Sequence, residues 1–111
     1  MSLRIIESEA AGEDRMSIAL YISSRTSLEM GKKFLTNVEA AYLRLSEMPR
    51  IGAPRQYRDP TLAGLRMWPV PRFPNHLIFY IPDDNSIDII RILHGARNIE
   101  EIFAGDSDIN R

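Results

Sequence analysis

The chain has 111 residues, a length suited to one domain over 1–111, and its 44% apolar content can fill a core without a metal or disulfide staple. Fourteen basic and fifteen acidic side chains leave a net charge of −1, which argues against phosphate backbone as the main partner. Cysteine is absent, so disulfides, thiolate-held zinc and thiol catalysis are excluded. No apolar run reaches membrane-spanning length, and Arg4, Glu7 and Glu9 do not form a basic-then-apolar leader, so a cytoplasmic location is expected.

The charge is unevenly spread. Residues 1–14 carry a net −3, residues 15–58 a net +5 and residues 59–111 a net −3. Lys32 and Lys33 are the only lysines, against twelve arginines. Arginine suits bidentate pairing across an interface, which is a weak pointer to a protein partner; a solvated basic helix face explains the bias as well.

In chain order, Leu3 to Ile6 reads as a first strand. Ser8 then caps a helix whose inward positions are Ala11, Ile18, Tyr21 and Ile22. Thr26-Ser27-Leu28-Glu29 has the form of a capping box opening a second helix. Its stripe is Phe34, Val38, Ala41, Leu45 and Met48, widened by Leu35 and Tyr42, and Pro49 ends it. So short a connection predicts an antiparallel helical hairpin. Residues 49–61 form a basic, proline-rich loop carrying Arg50, Arg55 and Arg58. Three consecutive strands follow: Leu65 to Trp68, cut short or kept at an edge by Pro69; His76 to Ile81; and Ile87 to His94, apolar on both faces and so central. Gly95 breaks the last strand, Asn98 to Phe103 makes a short helix, and a frayed tail is expected from Gly105 to Asp108. The fold class is α+β: an N-terminal strand and a two-helix hairpin packed on a twisted, mainly antiparallel sheet, with a short C-terminal helix.

Searching for chemistry yields little. There is no phosphate-binding glycine loop, dinucleotide fingerprint or zinc-protease motif. His76 and His94 fall in neighbouring strands; with a carboxylate such as Asp88 they could hold a metal or act as a base, but core-edge imidazoles are the plainer account. Asp83 and Asp84 suit a solvated turn better than a paired acid and base. Trp68, with Arg66 and Arg72, could stack on a base or anchor a partner, and equally could be a packed edge tryptophan. The dense constellation is Arg91-Ile92-Leu93-His94-Gly95-Ala96-Arg97. Alternation puts Arg91 and Leu93 on one face and His94 on the other, with Gly95 bending the chain so that Arg97 emerges at the sheet's end. Arg97 and His94 beside Arg66 would form a small cationic patch.

At these residues the chain resembles the ParE/RelE superfamily of type II toxin–antitoxin toxins, and its ParE branch more closely. The resemblance rests on Gly64-Leu65-Arg66, Leu77-Ile78-Phe79-Tyr80, the 91–97 motif followed by a short helix, Met48-Pro49 with Gly52, and the element order over residues 3–103. It implies a toxin neutralised by a co-expressed ParD-like antitoxin. Members of the RelE branch are ribosome-dependent mRNA endoribonucleases with basic residues and often a C-terminal tyrosine, whereas the ParE branch poisons DNA gyrase by binding. Here Leu62 and Gly64 stand where a nuclease tends to have lysines, His76 where it has arginine, and Phe103 where its tyrosine would fall. Phe103 has no hydroxyl to move a proton, so the gyrase-binding reading is preferred, with no catalytic residues of its own. The nuclease alternative would use Arg97, His76 and His94; a further alternative is an inactive member that only binds antitoxin.

The target-binding candidates are Arg66, Trp68, Arg97, Ile99 and Phe103. The antitoxin-binding candidates are Ile18, Ile22, Leu35 and Tyr42, in the groove of the helical hairpin, with an edge strand as a second docking place. A homodimer in the absence of antitoxin is left open. No metal, cofactor, membrane contact or sequence-specific nucleic-acid binding is implied.

Overall fold

A computed structural model describes residues 2–104 of the chain. The elements run β1 (Arg4–Glu7), α1 (Glu9–Arg25), α2 (Leu28–Glu47), β2 (Ala53–Pro54), β3 (Arg66–Val70), β4 (Phe73–Pro82), β5 (Ser86–His94) and α3 (Ile99–Ala104), with a 3-10 turn at Pro60–Leu62. They match the expected class, and the expected order except that the segment read as a loop over 49–61 contributes the two-residue strand β2; the tail from Gly105 to Asp108 lies outside the described residues.

The sheet order is β1-β5-β4-β3-β2. β3, β4 and β5 form an antiparallel meander, and β1 pairs with β5 in parallel. β5 is thus flanked on both sides, which is why its sequence lacks a polar face. Pro69 does not end β3, which continues to Val70; it sits where β3 is an edge, because among the described residues β2 pairs only with Arg66 and Met67 and leaves the side that the Pro69 nitrogen faces without a strand.

The caps explain the helix boundaries. Ser8 Oγ accepts from Ala11 N at 3.0 Å and fixes the start of α1. Ser27, not Thr26, caps α2 by accepting from Met30 N at 3.2 Å, so the Thr26–Glu29 capping box does not form. Thr26 closes α1 instead, donating its hydroxyl to Ile22 O at 2.8 Å. Two stripe assignments also change. Tyr21 points outward and Ala19 takes the inward place, while Met48 lies past the end of α2 and is exposed.

Both faces of the sheet are covered. Phe34, Val38, Ala41 and Leu45 of α2 pack with Ala11 and Ala19 of α1 on Val70, Ile78, Tyr80, Ile87, Ile89 and Ile92. On the opposite face Phe103 of α3 packs with Leu65, Phe79 and Leu93, bordered by Tyr57 and Leu62. The two helices touch at Gly31: a Cβ there would overlap Ser23 Oγ and come within 2.8 Å of the Ala19 carbonyl oxygen, so only glycine lets them approach this closely.

Candidate functional site

Register brings the end of β5 and the beginning of β4 together. His94 lies opposite His76, and Gly95 N donates to Asn75 O at 2.7 Å. The chain then turns tightly: Ala96 N donates to His94 Nδ1 at 2.9 Å and Arg97 N to His94 O at 3.0 Å. This turn places Arg97 at the exposed rim, as the sequence suggested, and among the described residues no hydrogen bond or ion pair engages its guanidinium. The histidine, rather than the glycine, shapes the bend. A Cβ on Gly95 would meet only ordinary contacts of 3.5 Å or more.

The two imidazoles stack edge to face with centroids 4.9 Å apart, and His76 meets the Phe34 ring in the same way at 5.4 Å. Burial, and then the like-charged His94, hold the His76 pKa below its ordinary value. Its Nδ1 is buried without a hydrogen-bond partner. His94, with Nδ1 already accepting from Ala96, presents Nε2–H in its neutral form. Asp88 is opposite Ile81, at the far end of β5, and so supplies no carboxylate to the pair. Among the described residues no cluster of three or more His, Asp or Glu side chains is placed to hold a metal.

The helical hairpin offers a different surface. Ile18, Ile22, Leu35 and Tyr42 sit half-buried against the main core. Tyr42 donates its hydroxyl to Glu7 Oε2 at 2.6 Å, and Arg15 Nε reaches the same oxygen at 2.8 Å, tying α2, β1 and α1 together. Burial and the adjacent carboxylate push the Tyr42 pKa up, while the Arg15 hydrogen bond draws the Glu7 pKa down. The apolar groups most open to a partner are others: Leu20 and Leu28 are each 66% exposed, with Met16 and Tyr21 also outward. For Met16 and Leu20, one turn apart, the signal in the sequence was apolar residues off the expected stripe, whereas Tyr21 had been placed on it. Among the described residues β1 is a sheet edge, bonded on one side only, with Ile6 exposed.

The family model for the ParE toxin of the type II toxin–antitoxin system parDE matches residues 5–99. The chain belongs to the ParE toxin family. Among solved structures, a chromosomal ParDE toxin–antitoxin system from P. aeruginosa is similar at 18% identity and a TM-score of 0.67, covering 84% of this chain and 96% of that one. No relative is found among curated proteins.

Within this ParE toxin several candidate contact residues have structural work to do. Arg66 donates through Nη1 to Gly52 O at 2.6 Å and Arg50 O at 3.0 Å, bracing the 49–54 loop. It lies opposite Tyr80, four residues along β4 from His76, about 13 Å away, so Arg66, His94 and Arg97 do not form one cationic patch. Tyr80 braces the same loop, donating to Pro49 O at 2.8 Å and accepting from Gly52 N at 2.9 Å. Trp68 is partly buried against the helix-side core. Phe103, 7% exposed, is packed between the rings of Phe79 and Tyr57, and Ile99 borders the same cluster, so neither is a free contact.

Arg91 departs furthest from its expected position. A bulge sets Ile90 and Arg91 together against Phe79 and breaks the alternation. Arg91 therefore reaches α1 and binds Asp14 in bidentate fashion, Nε to Oδ2 at 2.7 Å and Nη2 to Oδ1 at 2.9 Å, instead of sharing a face with Leu93. The backbone freed by the bulge is satisfied as well: Ile92 N donates to Asp14 Oδ2 at 3.0 Å and Ser8 Oγ to Ile90 O at 2.9 Å.

Proposed function

We propose that this ParE toxin acts in the cytoplasm by binding DNA gyrase and stalling its cleaved-DNA complex, without catalysis of its own. The observation that supports this most is Phe103. The position where a nuclease relative would carry a tyrosine is an aromatic plug in the core, and Arg66 is spent on loop carbonyls. Breaking an RNA strand at its 2′-hydroxyl needs proton transfer and charge stabilisation at one point, and Arg97 alone supplies only the second. Purified toxin added to gyrase and relaxed plasmid should block supercoiling and accumulate cleaved DNA. Full supercoiling at stoichiometric toxin would refute the reading.

A second reading keeps one specific observation, the His76–His94 pair next to the Arg97 turn. An mRNA interferase working there would degrade transcripts on expression; stable transcripts during growth arrest exclude it.

The neutralising partner is an antitoxin segment that folds on binding, with a helix over the α1–α2 hairpin and an extended stretch along β1. The exposed Met16, Leu20, Tyr21 and Leu28 support this, with Ile18, Ile22, Leu35 and Tyr42 forming the floor beneath. Leu20→Glu should weaken co-purification with the antitoxin while leaving the fold intact, since that side chain is 66% exposed.

A further inference from the structure

Val70 pairs with Phe73, so Pro71 and Arg72 form a two-residue turn joining β3 to β4. Arg72 has φ +68°, and it is the only non-glycine residue with positive φ among the described residues. Proline followed by a residue at positive φ is the type II turn, whose second central position favours glycine or asparagine. A side chain there is held against backbone preference, and such strain concentrates where the side chain has a task. Arg72 is exposed, and among the described residues nothing pairs with it.

The turn also has neighbours of its own charge. Asn75, three residues on and about 10 Å along β4, accepts the Gly95 N–H and so holds the turn that carries Arg97. Phe73, next to Arg72, packs on Phe34 at 5.4 Å, which brings the second turn of α2 over this end of the sheet; Lys32 and Lys33 precede Phe34 and are exposed. None of the large exposed apolar side chains lies on β3, β4 or β5. An arginine that anchors a protein interface sits in a packed, desolvated pocket beside aromatic groups, whereas Arg72 and Arg97 stand exposed on separate turns with no exposed aromatic beside them among the described residues, an arrangement that matches the spaced charges of a nucleic-acid backbone.

We propose that Arg72, together with Arg97, grips the phosphate backbone of DNA, and that the arginine is retained in its strained turn for this contact. The inference rests on the gyrase reading only for the source of that DNA, the duplex held by the enzyme. Contact is to phosphates alone, so no sequence preference is expected.

The test uses the full chain with a fluorescent 20-base-pair duplex, with anisotropy followed from about 25 to 200 mM salt. Arg72→Gly should weaken binding about tenfold at the low end and lower the slope of log K against log salt by about 1, and Arg72→Lys should restore most of it. Because glycine accepts the turn geometry, Arg72→Gly should melt at the same temperature as the parent or up to about 5 °C higher. Absence of duplex binding by the parent, an unchanged slope in Arg72→Gly, or a clear fall in its melting temperature would each overturn the proposal. So would loss of DNA-free gyrase capture with duplex binding intact, which would assign Arg72 to an acidic protein surface. Duplex binding that depends on Arg72 without gyrase inhibition would uphold the contact and refute the gyrase reading instead.

Discussion

The two faces of the sheet are closed in different ways. On one, α1 and α2 together bring 37 residues over the strands, and Phe34, Val38, Ala41 and Leu45 are wholly buried. On the other, the six residues of α3 and the loop around Tyr57 and Leu62 form a thin cover in which Phe103 alone reaches deep. The thick side supplies the stability. The thin side is fastened at a few points, including Arg55, which bonds Tyr57 at 3.1 Å and pairs with Glu100 at 3.6 Å. The first side holds the strands in place along its whole length, while the second is held at fewer points.

Four substitutions bear on that contrast. Phe34→Ala should cost about 3–5 kcal/mol in urea unfolding, because it empties the fully buried side that both helices share. Phe103→Ala should cost less, about 3 kcal/mol, since the short α3 and the loop that cover the buried ring can settle into the space it leaves. Hydrogen exchange should then show 99–104 losing protection while α1 and α2 keep theirs. Equal costs for the two substitutions would remove the distinction between the faces. Asp14→Asn should cost about 1.5–3 kcal/mol, as the charge-assisted bonds to Arg91 and the Ile92 amide weaken together. The smallest effect concerns Glu7. Its pKa is lowered in the folded state, so its contribution is complete above the unfolded value near 4.5 and is lost as pH falls through the folded value. The stability gap between the parent and Glu7→Gln, about 1 kcal/mol at neutral pH, should therefore close on acidification below about pH 4. A gap independent of pH would show that Tyr42 and Arg15 are satisfied without the charge.

What could be read from the sequence was what depends on neighbours along the chain. The α2 stripe short of Met48, the Ser8 cap, the central position of β5 and the exposure of Arg97 follow from spacing, although His94 and not Gly95 makes the bend before Arg97. What escaped depends on partners distant in sequence. Arg91 changes side because a bulge in β5 is filled by Asp14, 77 residues earlier. Gly31 looks like a weak point in a helix until α1 lies against it. Phe103 was a contact candidate because nothing local reveals that Phe79 waits beneath it. The choice of Ser27 over Thr26 as cap was settled by the end of α1, which had already claimed the threonine hydroxyl. Arg72 was grouped with Trp68 and Arg66, yet the φ that singles it out is a property of the folded turn.

The parallel pairing of β1 with β5 has a consequence for synthesis. Among the described residues the first strand finds its only sheet neighbour in the last one, and Ser8 bonds Ile90 across 82 positions of chain. A nascent chain therefore carries an unmated β1 until β5 has been made, and this pairing can close only after residue 89 has left the ribosome. Until that moment α1 and α2 can form, but the strand that precedes them has nothing to pair with, so the finished sheet lags behind its helices.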